Sequence, residues 1–117
     1  MPLIMKPWGS EDVLEHNEKF VVKRLFMTAG HRCSLQYHQI KRETIYVLSG
    51  KLKVVFGASA DRLADVILGP HEHLTLPTGM VHRMEAIEDC FYLESSTPEL
   101  DDVVRLKDDY NRAPSQS

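Results

Sequence analysis

Apolar side chains recur along the chain in short runs, at residues 20–27, 33–38, 43–48, 51–56, 63–68, 73–77 and 90–95. These runs are rich in β-branched and aromatic residues and too short for ordinary helices, so they read as strands. Turn formers separate them: Thr28-Ala29-Gly30, Ser49-Gly50, Gly57-Ala58-Ser59, Gly69-Pro70 and Pro77-Thr78-Gly79. That cadence predicts an all-β barrel or sandwich, and roughly seven or eight antiparallel strands folded as a jelly roll can close enough edges to be stable and leave an interior mouth for a ligand. The stretch from Pro98 to Arg112 breaks the cadence. Thr97-Pro98-Glu99 offers a cap-like start for a short helical turn, and the same residues can run as an ordered arm. The closing residues APSQS are expected to fray, so the domain is placed at 1–113 with a flexible tail at 114–117.

Strand alternation gives the polar residues inside these runs a meaning. In SLQYH, Ser34, Gln36 and His38 share the inward face. Cys33, Leu35 and Tyr37 would then form an outward apolar stripe, costly to leave in water, which together with Ile4, Met5 and Trp8 predicts a homodimer. After the polar turn Gln39-Ile40-Lys41-Arg42, Glu43 opens the next strand, and a hairpin would carry it back beside His38. His82 follows the Pro77–Gly79 turn at the start of a later strand. Two imidazoles, a carboxylate and an amide oxygen form a mixed nitrogen and oxygen set suited to one divalent ion of Zn, Mn, Fe, Co or Ni. Gln36 is the weakest donor of the four and can instead hydrogen-bond a bound water. His71 and His73 stand in a Gly-Pro loop, and His16 and His31 in turn-like surroundings, where solvent exposure is the ordinary expectation.

Two cations stand among apolar neighbours. Lys23 shares a face with Val21, Leu25 and Met27 and reads as inward-facing or snorkelling to the barrel mouth. Arg105, beside Val103 and Val104, must pair with Asp101, Asp102 or Asp108 or turn toward an anionic ligand.

A length of 117 residues makes one domain, able to bury roughly two-thirds of its unfolded surface. The formal charge of −3, with basic residues scattered among acidic ones, gives no footprint for nucleic acid. No apolar stretch reaches membrane-spanning length and MPLIMKPWGS lacks the apolar core of a signal peptide, so the expectation is a cytoplasmic protein with no membrane partner. Cys33 and Cys90 are too few for a disulfide scaffold and are expected to be buried thiols. No glycine-rich nucleotide-binding loop is present.

Gly30, Gln36, His38, Glu43 and Gly50, followed by Pro77, Gly79 and His82, resemble the two histidine motifs of the cupins. Gln36 within SLQYH is similar to the cupin domain of type II mannose-6-phosphate isomerases. Lys6-Pro7-Trp8-Gly9, Val22-Lys23-Arg24, VLSGKLKV and DDVVRLKDDYNR resemble that family's amino-terminal segment, first core strand, post-glutamate strand and closing signature. Three departures stand out: the family's closing Tyr-Gly-Arg is Tyr110-Asn111-Arg112 here, its basic run after the histidine is Gln39-Ile40-Lys41-Arg42, and the leading Gly-to-Pro spacing of the second motif is longer. The resemblance implies the cupin double-stranded β-helix, a bound divalent metal, and an aldose–ketose isomerase acting on a sugar or sugar phosphate through an enediol. Under that reading Lys23 and Glu94 are the candidates for proton transfer, and Arg105, Arg112 and Lys41 for a phosphate clamp. The alternatives are a carbohydrate-binding cupin accessory to polysaccharide synthesis and, disfavoured by Gln36, a metal-dependent oxygenase.

Overall fold

The computed structural model describes residues 3–112 and the backbone of Ser115–Gln116. Among these residues there is no helix. The strands are β1 (Leu3–Lys6), β2 (Gly9–His16), β3 (Val21–Met27), β4 (Leu35–Tyr37), β5 (Glu43–Ser49), β6 (Leu52–Ser59), β7 (Arg62–Leu68), β8 (His73–Leu76), β9 (Val81–Ala86), β10 (Cys90–Ser96), β11 (Val103–Lys107) and β12 (Ser115–Gln116). They form two six-stranded antiparallel sheets, ordered β1-β2-β3-β10-β5-β8 and β12-β11-β4-β9-β6-β7. This is the all-β jelly roll expected of a cupin.

Burial follows the period-two rule most cleanly on three neighbouring strands. The inward residues are Val21, Lys23, Leu25 and Met27 on β3, Cys90, Tyr92, Glu94 and Ser96 on β10, and Glu43, Ile45 and Val47 on β5. Register aligns Leu25 with Tyr92 and Val47, and one step along the barrel aligns Lys23 with Glu94 and Ile45. The interior is therefore apolar at one end, where Met27, Val47, Leu52, Val54, Met84 and Cys90 pack together, and charged at the other.

Several expectations are corrected. β4 and β5 lie in different sheets, so residues 38–42 form a crossover between sheets rather than a hairpin turn. Glu43 nevertheless arrives beside His38, because the two sheets face each other across a narrow interior. The outward stripe does not exist as drawn: Cys33 and Leu35 are only 7% and 3% exposed. β4 is three residues long and flanked by β11 and β9, so alternation does not extend back to Cys33, which joins the core. Exposed apolar side chains are spread over several elements instead, among them Leu3, Ile4 and Met5 on β1 and Leu63 and Ile67 on β7, while Trp8 is buried. The 98–112 stretch forms β11 with flanking turns and no helical turn. Strands β1, β2, β11 and β12 exceed the runs read from sequence, and β9, expected from the Pro77–Gly79 turn before His82, lies outside those runs as well. Within the expected tail, Ser115 and Gln116 pair with Val104 and Val103, supplying partners to an otherwise open edge; Ala113, Pro114 and Ser117 lie outside the described residues.

Candidate metal centre

His38 ends the segment after β4, Glu43 opens β5 and His82 is the second residue of β9. The turn that delivers His82 depends on Gly79, whose φ of 85° suits glycine and whose N–H donates to the His38 carbonyl at 2.9 Å. His38, Glu43 and His82 are all buried, and one ligand atom from each lies within 4.8 Å of the others. Glu43 Oε1 is 3.0 Å from His82 Nε2 and 3.5 Å from His38 Nε2. None of these three atoms forms a hydrogen bond among the described residues.

The far side of each imidazole is occupied. His38 Nδ1 faces the Asp102 carbonyl, and His82 Nδ1 lies 2.9 Å from the Met80 carbonyl. A carbonyl oxygen only accepts, so the Nδ1 atoms carry the protons. In the neutral rings both Nε2 lone pairs then face a carboxylate oxygen. Electron pairs aimed at one another in a buried site require a cation between them, either a proton or a metal ion, and outward Nδ1–H bonds of this kind are how metal-binding histidines are oriented. The residues present therefore fit a divalent transition metal with nitrogen and oxygen donors.

Gln36 stands opposite His82 in the β4–β9 register and lines the same cavity as His38. Its Oε1 accepts a hydrogen bond from the Ser34 hydroxyl at 2.6 Å. The cavity is about 400 Å³, and its wall includes Trp8, Lys23, Lys41, Glu94, Arg105 and Arg112. Lys23 faces inward, paired with Glu11 at 3.3 Å. Lys41 is not at the mouth as a clamp would require: its Nζ lies 3.4 Å from Glu43 Oε2 and 3.5 Å from Glu94 Oε1. Arg105 is opposite Gln36 in the β11–β4 register. His16, His31, His71 and His73 are exposed and away from the centre.

Charge at this end is set by burial and by neighbours. Burial opposes ionisation of Glu43, but His38, His82 and Lys41 more than offset it and hold its carboxyl well below the ordinary range. Burial and the Glu43 charge push Glu94 up. Burial lowers Arg105, with Arg112 adding to the effect. Both thiols are pushed up to about 11, chiefly by burial, which makes them inert core groups.

Some participants were not visible beforehand. The sequence offers Asp102 only as a partner for Arg105, yet its carboxylate accepts from the backbone N–H groups of Gln39, Ile40 and Lys41 at 3.0, 2.7 and 2.8 Å. Nothing in the sequence signals that the strand carrying Glu11 lies next to Lys23. At the carboxy-terminal end, Asp108 binds Arg112 through its backbone N–H, Nε and a terminal nitrogen at 2.8, 2.9 and 3.1 Å. Asn111 takes φ of 56°, a left-handed conformation that asparagine tolerates.

Residues 2–108 match the family described as mannose-6-phosphate isomerase, C-terminal. The chain belongs to that family. It is 29% identical to the mannose-1-phosphate guanylyltransferase ManC of Salmonella typhimurium and to the xanthan biosynthesis protein XanB of Xanthomonas campestris, in each case over 93% of this chain. It spans only 23% of the length of those relatives. Among solved structures, KdgF from Halomonas sp. superposes with a TM-score of 0.75 at 16% identity, covering 86% of this chain and 89% of that one. Bacillus subtilis oxalate decarboxylase, a protein with Mn(II) centres, superposes with a TM-score of 0.78 at 18% identity, covering 91% of this chain and 30% of that one. At such identities these likenesses show the fold, which is the cupin jelly roll. Among the described residues no helix is long and apolar enough to cross a membrane.

Proposed function

We propose that the chain holds one divalent transition metal ion on His38, Glu43 and His82, with Gln36 completing the donor set, and interconverts an aldose and a ketose in the adjoining cavity. The observation that carries this reading is the buried convergence of two imidazole nitrogens and a carboxylate oxygen that lack hydrogen-bond partners. Bound there, a divalent cation supplies the charge that polarises a substrate carbonyl and stabilises an enediolate. The chain's own residues do the rest. Glu94, buried in the cavity wall, is the carboxyl placed to move a proton between the two reacting carbons. Lys23, its register partner, balances charge beside it. Arg105 and Arg112 both line the cavity, Arg112 with its Nε and one terminal nitrogen on Asp108, and their positive charge favours a sugar phosphate as substrate. The names of the mannose-phosphate relatives point the same way.

Binding of a carbohydrate without turnover is the second reading, favoured by one observation: Glu11, Lys23, Lys41 and Glu94 are all held in ion pairs, which leaves no unengaged acid or base at that wall. NMR of mannose 6-phosphate and fructose 6-phosphate with metal-loaded protein in deuterated water separates the two. Interconversion or deuterium exchange at C2 supports the isomerase. Broadened sugar resonances with no exchange assign binding alone, and unchanged spectra overturn both readings.

A further inference from the structure

We infer that Lys41 is a positioning residue for the metal centre, fixing which oxygen Glu43 presents to the two imidazoles. The inference rests on the metal reading above and deepens it. Lys41 is 5% exposed, an unusual place for a lysine unless its charge is matched. Its ammonium group bridges Glu43 Oε2 and Glu94 Oε1, while the other oxygen of Glu43 faces His38 and His82. The two oxygens of one carboxylate are thus divided between an internal cation and the ligand cluster. An arrangement of this kind orients a ligating carboxylate and removes its freedom to turn.

The lysine is itself held from behind. The crossover that carries it is pinned by the three backbone bonds to Asp102, by the Thr78 hydroxyl donating to the Ile40 and Lys41 carbonyls at 2.9 and 3.2 Å, and by the Arg42 N–H donating to Thr97 Oγ1 at 3.1 Å. Asp102 also receives His38 Nδ1 on its main-chain carbonyl. One residue therefore anchors both an imidazole and the loop that aims the lysine. These contacts fit a device for ligand geometry better than a device for stability, because a buried ion pair contributes little net folding energy.

The test is titration of the full chain with Co(II), following the visible spectrum of the bound ion and its affinity by competition with a chelator. Lys41→Met should weaken Co(II) binding about 10–100-fold and alter the spectrum, as loss of an orienting partner does at other metal sites. Lys41→Arg should stay near wild type, because it restores the cation. Should Lys41→Met alone fail to fold, Lys41→Met with Glu94→Gln removes one of the two uncompensated carboxylates and should fold while still binding weakly. Wild-type affinity and spectrum in whichever methionine variant folds would overturn the role of Lys41. Failure of the wild-type chain to bind Co(II) at all would instead overturn the metal reading and remove the basis for this one.

Discussion

The two ends of the barrel interior are built from the same strands and buried to the same depth, yet their chemistry is opposite. Along β3, β10 and β5, Met27, Cys90 and Val47 occupy the apolar end, and Lys23, Glu94 and Glu43 the charged end. Each large apolar side chain buried at the first end contributes about 1.5–3 kcal/mol to folding. Each charge buried at the second costs several kcal/mol in lost hydration, which pairing at best returns. Folding therefore explains the apolar end and leaves the charged end unexplained. The proposed metal centre at the charged end accounts for that asymmetry.

The contrast can be broken by mutation. Leu52 is fully buried at the apolar end, and Leu52→Ala should destabilise the fold by about 2–5 kcal/mol in urea unfolding with metal stoichiometry per folded chain unchanged. A matching loss of metal from folded protein would show that the two ends are not separable.

Arg112 lines the cavity and Asp108 holds it from behind, and the contribution of this ion pair to stability can be read apart from the metal centre. Hydrogen bonds from Arg112 hold Asp108 down to about 2. Because the folded value is depressed below an unfolded value of about 3.9, the pair stabilises the fold above that pH and loses its contribution as pH falls through about 2. Asp108→Asn should cost about 1–2 kcal/mol at neutral pH, a gap that closes between about pH 4 and pH 2. A gap independent of pH would remove the ion pair from the account.

Gln36→His replaces an amide by a stronger donor opposite His82, and metal affinity measured by competition should rise about threefold to tenfold. Weaker binding would assign Gln36 to packing with Ser34. The smallest effect is expected at Tyr92, which sits at the boundary of the two ends with its hydroxyl buried and lacking a hydrogen-bond partner among the described residues. Tyr92→Phe should be neutral or stabilising by up to about 1 kcal/mol, since it removes an unsatisfied group. A loss of more than that would show that the hydroxyl has a partner.

Much of this division was legible in the sequence, and the reasons for the rest are physical. Period two placed Lys23 inward among Val21, Leu25 and Met27, and turn chemistry placed His82 at a strand start. The same rule misread Cys33 and Leu35, because alternation holds only within a strand and β4 is too short to carry it. Glu43 was put beside His38 by a hairpin that does not exist; local sequence does not record whether a turn stays in one sheet or crosses to the other. The role of Asp102 is not legible in the sequence, since the partners of its carboxylate at residues 39–41 lie more than sixty positions away and are backbone groups, which every residue has.

Elemental analysis of protein purified without chelator tests the central claim most directly. The wild-type chain should carry about one divalent transition metal ion, and the folded His38→Ala and Glu43→Ala variants should be depleted of it. A wild-type chain without stoichiometric metal, or variants that retain it in full, would contradict the assignment of the charged end as a metal centre.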